Sequence, residues 1–287
     1  MKVFLNGAIV TENRAKISVF DRGFLYGDGV YETMLCRNGG VFLLKEHIAR
    51  LFRSARMIAL PLPWTQKYFH SAVEKTVAAN SLDGARVRVT VSRGRGAVGY
   101  TGKIAARPTL VIAAVKFNGW PRGLYENGVG IIISVVRRNH PLCIPPASKS
   151  ANCLNQILAA QDAKRRDAFE AILLNTDGFV AEGTISNIFI VKNNRLLTPS
   201  LETGILDGVT RRAVIRLARR HGIEVAETLL KPDDVINADE CFITSSTLGV
   251  MPVARIGAKK FKRLKSGGKT LILSRALELL IDKETQK

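Results

Sequence analysis

Cysteine, histidine, tryptophan and methionine are scarce in this chain, at four, four, two and four among 287 residues. Cys36, Cys143, Cys153 and Cys241 form no Cys-x-x-Cys pair and no dense cluster, so neither a zinc ribbon nor a disulfide scaffold is expected. That pattern suits a reducing, cytoplasmic compartment. His47, His70, His140 and His221 are equally scattered and no His-Glu-x-x-His appears, which argues against a metal site. Long apolar runs are missing too. Val129 to Val136 falls far short of the roughly 20 residues that span a bilayer, and Met1 to Gly7 runs directly into a short strand and turn rather than a leader. No membrane partner is expected.

Negative charge is the other shortage: 24 acidic against 43 basic side chains leave a formal charge of +19. Such a chain attracts anions of any kind. Its basic residues are spread over helix faces such as Arg211 to Arg220, with one concentration from Lys259 to Lys269 interrupted by a single aromatic, Phe261. Base-reading modules combine positive charge with recognisable motifs and stacking rings. No specific nucleic-acid partner is therefore expected, and the charge is read as steering small anionic ligands.

The residues that are present alternate between strand and helix patterns. Met1-Leu5 and Ala8-Thr11 flank an Asn-Gly pair, a strong hairpin signal. Phe24 to Cys36 mixes glycines with strand formers. Glu46 to Ala59 places Ile48, Leu51, Ala55 and Ile58 on one side of a helix, and a second helix spans about Thr65 to Asn80. Strands Ala85-Ser92 and Thr109-Ala114 bracket the glycine-rich loop Arg93 to Gly102. The stretch 117–127, with Gly119, Pro121 and Gly123, reads as a linker, so two α+β domains are expected, 1–116 and 128–287. The second begins with strand Gly130-Val136, proline-rich Pro141-Pro146 and a helix from about Ala151 to Arg166. Short strands follow, then a helix from Val209 to His221, further short elements, and a C-terminal helix from about Thr270.

Three places carry candidate chemistry. Lys149 leaves the proline-rich loop toward a helix, where partial desolvation would favour a neutral, nucleophilic amine; a solvated surface lysine is the bland alternative. Glu182, among Val180, Ala181 and Gly183, is an acid on an apolar strand and calls for a cationic partner, unless it is a plain turn or edge residue. Gly208-Val209-Thr210 opens a helix, and backbone amides, helix dipole and a threonine hydroxyl there make a good phosphate site. The competing reading is a simple N-cap by Asp207 or Thr210. Ser245-Ser246-Thr247 could add donors, and Arg50 a fixed positive charge with bidentate geometry.

Glu46-His47-x-x-Arg50, Lys149-Ser150-x-Asn152-x-Leu154, Glu182-Gly183-x-x-Ser186-Asn187-x-Phe189, Gly208-Val209-Thr210-Arg211, Thr244 to Thr247, and Asp21 to Glu32 cover essentially the whole chain. In this order and spacing they resemble the class IV pyridoxal phosphate aminotransferases. The resemblance implies fold type IV: an α+β, two-domain enzyme with a smaller N-terminal α/β domain and a larger, cofactor-binding C-terminal domain containing a pseudo-barrel, in a homodimer. It implies pyridoxal 5'-phosphate as cofactor, with Lys149 as the catalytic Schiff-base lysine and Glu182 as the ring-nitrogen partner. Arg50, Val209, Thr210 and Thr247 match phosphate-binding positions, and Ser186, Asn187 and Ser246 belong to the same cofactor set. Tyr26, Tyr31, Arg88, Arg95, Leu248 and Gly249 are the implied substrate contacts.

Within the family, Arg88 and the stretch Ile185 to Val191 are similar to the branched-chain group. That implies transfer of an amino group between a branched-chain L-amino acid and the keto acid 2-oxoglutarate. Tyr31-Glu32-Thr33, Cys153 and Ser246-Thr247-Leu248 depart from that group. The Tyr31 region and the serine-rich turn look more like D-amino acid aminotransferases, and Arg95 to Tyr100 somewhat like 4-amino-4-deoxychorismate lyases. Those two activities, and R-selective amine transamination, stay open as alternatives.

Overall fold

The computed structural model describes residues 1–100, 107–261 and 267–286. Thr101 and Gly102 of the glycine-rich loop and residues 262–266 of the basic stretch lie outside the described residues. The chain divides into two compact units: unit 1 is Met1–Gly119 with Ser148–Asn152 and Ile281–Lys287, and unit 2 is Trp120–Ala147 with Cys153–Leu280. Two short segments that the sequence boundaries assign to the second domain thus count with unit 1, and one of them carries Lys149.

Unit 1 contains β1 (Lys2–Leu5), β2 (Ala8–Thr11), α1 (Arg22–Tyr26), β3 (Gly29–Arg37), β4 (Gly40–Val41), α2 (Leu44–Met57), α3 (Gln66–Ala79), β5 (Ala85–Ser92) and β6 (Thr109–Lys116). The strands form one antiparallel sheet in the order β2-β1-β6-β5-β3-β4. Its first hairpin turns on Asn6 and Gly7, both at positive φ (49° and 105°), which is what a two-residue turn needs and why Asn-Gly stands there. Along β5, Ala85, Val87, Val89 and Val91 are buried while Arg86 and Arg88 are exposed. This two-residue period aims one face at a core shared with Ile48, Leu51 and Ala55 of α2 and Phe69 and Val73 of α3. A Leu51→Ala change in that core would cost about 2–5 kcal/mol.

Two expectations are corrected here. The start of the Phe24 to Cys36 stretch is helix rather than strand: Asp21 accepts the Gly23 N–H at 2.8 Å, starting α1, and Gly27 at φ 66° ends it. Nor does Lys149 lie at the mouth of a helix. Residues 148–152 pass beside β3 and bridge to it at Ser150, with the Tyr31 N–H donating to Lys149 O (3.0 Å) and the Ala151 N–H to Gly29 O (2.9 Å). Backbone groups satisfied by a neighbouring strand are not available to a helix.

Unit 2 adds α4 (Arg122–Asn127), β7 (Val129–Arg137), α5 (Leu154–Arg165), β8 (Glu170–Leu174), β9 (Val180–Gly183), β10 (Asn187–Lys192), β11 (Arg195–Pro199), α6 (Val209–Arg220) and β12 (Val225–Thr228). After these come α7 (Pro232–Ile236), β13 (Glu240–Ser245), β14 (Gly249–Ile256), β15 (Lys259–Lys260) and α8 (Lys269–Thr285), whose last residues belong to unit 1. The sheet runs β12-β11-β10-β13-β14-β7-β8-β9, with β15 on β14. It is mixed, β7 pairing parallel with both β14 and β8. The sheet curls until β9 lies against β10 and β11, which makes the pseudo-barrel.

Strand β14 has no counterpart in the sequence reading. Pro252 interrupts its pattern, and proline seldom sits in a central strand because it cannot donate to a ladder. Here it is tolerated because the β7 ladder begins only at Val253, leaving Pro252 paired on one side, opposite Phe242. Among the described residues, no helix is long and apolar enough to cross a membrane, and no group of three or more His, Cys, Asp or Glu could hold a metal ion.

Candidate active site

In unit 1 the chemistry gathers on and around β3. Its burial alternates so that Val30, Glu32 and Met34 point inward while Tyr31 and Thr33 are half-buried on the other face. An acid at an inward position must find a cation. Glu32 finds Arg50 of α2, whose Nε donates to Oε1 at 2.7 Å and Nη2 to Oε2 at 2.8 Å, and His47 Nδ1 donates to the same Oε2 at 2.8 Å. Burial alone would raise the Glu32 carboxyl, but the Arg50 charge and the hydrogen bonds of Arg50 and His47 outweigh it and hold the group well below the usual range. Burial lowers His47, and the nearby Arg50 and Lys149 charges add to that against the pull of Glu32. The histidine is thus favoured neutral, with its proton on Nδ1 because an ionised carboxylate only accepts.

On the other face, the Lys149 Nζ lies 4.6 Å from the centroid of the Tyr31 ring and the Arg88 guanidinium 3.9 Å from it, so one phenol carries two cations. The Lys149 backbone is fixed as well, its N–H donating to Ser54 Oγ at 3.0 Å. Tyr26, expected at the substrate, accepts the Gly99 N–H at 2.8 Å, while Arg22 stacks on its ring and donates to Gly99 O. Tyr26 therefore holds the loop after β5. Arg95 on that loop is exposed and bridged through its backbone to Asp21.

In unit 2, Glu182 is buried on β9. Its Oε2 accepts the Leu206 N–H (2.9 Å) and Asn187 Nδ2 (3.3 Å), and its Oε1 lies 2.9 Å from Arg138 Nη2. Arg138, just beyond β7, was not singled out in the sequence. Asn187 also donates to Leu206 O at 3.0 Å, tying β10 to the segment before α6. A methyl group on Gly208 would run into Asn187 Oδ1, so glycine is required where α6 begins.

Ser186, expected at the cofactor, donates its hydroxyl to Glu170 at 2.9 Å. Glu170 also accepts Thr184 Oγ1 (2.6 Å) and the N–H groups of Ala171, Thr184 and Ile185, so it pins the turn between Glu182 and Asn187. Burial raises its carboxyl despite these bonds.

Helix α6 starts at Gly208 with no side-chain cap, which removes both Asp207 and Thr210 as N-caps; Asp207 pairs with Arg212 at 3.2 Å instead. The Thr210 hydroxyl is buried and, among the described residues, has no hydrogen-bond partner. Beyond β13, Ser246 and Thr247 are half-buried in the turn that leads to Leu248 and Gly249. There the Leu248 N–H donates to Ser245 Oγ at 3.4 Å, and its carbonyl accepts Tyr125 Oη at 3.0 Å. Unit 1 thus groups Lys149, Tyr31, Arg88 and the Arg50 pair, and unit 2 groups Glu182, Asn187, Val209 and Thr210.

Unit 1 therefore offers an amine, Lys149, seated on Tyr31, and unit 2 offers the buried acid Glu182 and a helix start without a side-chain cap, where backbone amides favour an anion. The class IV amino-transferase family profile matches residues 29–256, and the chain belongs to that family of enzymes. It is 42% identical over 267 residues, covering 93% of this chain and 92% of the relative, to a Methanocaldococcus jannaschii protein provisionally named branched-chain-amino-acid aminotransferase. A D-alanine aminotransferase of Bacillus licheniformis is 34% identical, covering 100% and 99% of the two chains, and an aminodeoxychorismate lyase of Bacillus subtilis is 34% identical, covering 98% and 94%.

Among solved structures, a branched-chain amino acid aminotransferase of Escherichia coli superimposes with a TM-score of 0.94 at 29% identity, covering 100% and 96% of the chains. The T.th. branched-chain enzyme solved with pyridoxamine 5'-phosphate reaches 0.93 at 28% identity, covering 98% and 94%. The fold is that of fold type IV enzymes, and class IV aminotransferases use pyridoxal phosphate.

Proposed function

We propose that this protein binds pyridoxal 5'-phosphate and transfers an amino group between a branched-chain L-amino acid and 2-oxoglutarate. The observation that carries the cofactor reading is the buried, unpartnered Thr210 hydroxyl in the uncapped first turn of α6. A buried hydroxyl without a partner is costly, and a phosphate at that helix start supplies the missing acceptor. Val209 through its backbone amide, Thr210, Ser246, Thr247 and Arg50 would hold the phosphate; Glu182, oriented by Asn187, would hold the ring nitrogen; Ser186 supports the turn between them.

When bound, the cofactor supplies an aldehyde that captures amines and a ring that accepts electrons from the substrate carbon. The chain supplies the rest. Lys149 Nζ would hold the cofactor through its aldehyde and would carry the proton at the substrate carbon. Tyr31 and Arg88 offer a ring and a cation for the substrate, and Arg95 and the Leu248 and Gly249 amides complete the candidate contacts. The apolar face of α5, Leu154, Ile157 and Leu158, is assigned to a second copy of the chain, giving a homodimer. A cytoplasmic location belongs to the same reading, the four cysteines being few and widely spaced along the chain.

The branched-chain reading is supported by the M. jannaschii relative and by the structural neighbours. A D-amino acid reading is supported by the B. licheniformis relative and by the Tyr31 region and serine-rich turn of the sequence. The test is a half-reaction panel in which the protein meets L-leucine, D-alanine, R-1-phenylethylamine and aminodeoxychorismate while the cofactor's visible absorption and pyruvate release are followed. L-leucine should discharge the absorption fastest. A response to D-alanine alone, or pyruvate release from the last compound, would replace the substrate assignment, and a colourless protein that ignores added pyridoxal phosphate would end the cofactor reading.

A further inference from the structure

Arg138 is one of the few cations that this strongly basic chain buries, only 7% of its surface being exposed. Long charged side chains are seldom buried unless paired, so its contacts show what it is for. Nη2 lies 2.9 Å from Glu182 Oε1 and donates to Pro146 O at 3.1 Å, and Nε donates to Gly204 O at 3.3 Å. The Arg138 backbone N–H donates to Leu174 O at 2.8 Å, which anchors the root of the side chain on β8. One planar group therefore ties together the acid on β9, the proline-rich loop that reaches Lys149 three residues later, and the segment that leads into α6.

The carboxylate it meets is held from the opposite side by the Leu206 N–H and Asn187, both on Oε2. Two fixed oxygens define the plane of the acid. Each carboxylate oxygen has about two acceptor directions, and among the described residues Oε1 meets Arg138 alone, so one direction on Oε1 remains for a further donor. We propose that Arg138 is a positioning residue: it sets the Glu182 carboxylate so that Oε1 presents its second acceptor direction to the ring nitrogen of pyridoxal phosphate. The same guanidinium replaces part of the water that the acid lost on burial. A lysine could not do this as well, because an ammonium on a flexible stem lacks the fork that reaches Glu182 and Gly204 together.

The inference rests on the cofactor reading above and is tested by pyridoxal phosphate titration of wild type, Arg138→Lys, Arg138→Met, Glu182→Gln and the Arg138→Met/Glu182→Gln double variant. Folding is checked by circular dichroism and thermal melting. Arg138→Met should raise the Kd for pyridoxal phosphate about tenfold and move the visible band of the bound cofactor, and Arg138→Lys should restore part of both. In the Glu182→Gln background, the Arg138→Met change should alter Kd by less than about twofold, since the arginine acts through the acid. Wild-type Kd and band position in folded Arg138→Lys and Arg138→Met overturn the proposal, as does an equal loss of affinity in both backgrounds. If Arg138→Met does not fold, Arg138→Lys decides by the same two readings. A wild-type protein that takes up no pyridoxal phosphate removes the cofactor reading itself, a result distinct from an arginine without effect.

Discussion

Arg50 meets Glu32 through two parallel hydrogen bonds, Nε to Oε1 at 2.7 Å and Nη2 to Oε2 at 2.8 Å, with the acid fully buried. The pair changes the meaning of Arg50: a guanidinium assigned to a phosphate is first an internal ion, its plane fixed by a strand of the sheet. Glu32→Gln should therefore act on both stability and ligand. Removing one partner of a buried pair typically costs about 3–5 kcal/mol, because the amide nitrogen would face an arginine donor. Urea unfolding of the cofactor-free protein should show a loss of that size, and pyridoxal phosphate should bind more weakly because Arg50 is no longer held.

The same cluster predicts how stability depends on pH. The folded His47 resists protonation, so an unfolded chain takes up a proton at the ordinary 6.5 while the folded one does not. Its contribution is present above that pH and is lost as pH falls toward the depressed folded value. Glu32 follows the same sign lower down, its contribution present above the ordinary 4.5 and lost as pH falls further. Melting temperature should thus decline in two stages, the first beginning near 6.5 and the second near 4.5. His47→Gln should flatten the first stage and leave the second, as scanning calorimetry across pH 2 to 8 would register.

How much of this could be read from the chain depends on whether the signal was local. The face of α2 follows from 3.6-residue spacing, and Thr65 caps α3 by accepting the Tyr68 N–H, at the position where the sequence starts that helix. The hairpin at Asn6-Gly7 is equally local. The path of Lys149 alongside β3 was not legible, because it depends on a strand more than a hundred residues earlier in sequence. Strand β14 was hidden by Pro252, whose tolerance depends on where the β7 ladder starts. Arg138 is one of 43 basic residues, and nothing nearby marks it as the partner of Glu182. The Glu32 signal was available: an acid between Val30 and Met34 at the inward period of a strand announces a buried cation.

Helix α5 leaves Leu154, Ile157 and Leu158 exposed at 66%, 50% and 44%, a spacing of three and four residues that puts them on one side. Their spacing marks an apolar helix face but carries no sign of what covers it. A second copy of the chain is the proposed cover. Leu154→Asp/Leu158→Asp should lower the mass seen by light scattering from twice the chain mass to once, with circular dichroism unchanged. A wild type that elutes at the chain mass would remove the dimer.

Thr210 offers the cleanest separation of ligand binding from folding. Its hydroxyl is buried without a hydrogen bond among the described residues, and an unsatisfied buried polar group costs roughly 1–3 kcal/mol. Thr210→Val keeps the shape and removes that group, so the ligand-free protein should be as stable as wild type or more so, by up to about 1 kcal/mol in a urea melt. Against phosphate the sign reverses. A hydrogen bond to a charged group contributes about 1.5–3 kcal/mol, so pyridoxal phosphate affinity should fall about tenfold or more while Thr210→Ser keeps most of it. If Thr210→Val instead lowered stability and left affinity unchanged, the hydroxyl would be structural, and the phosphate would have to be held by other residues.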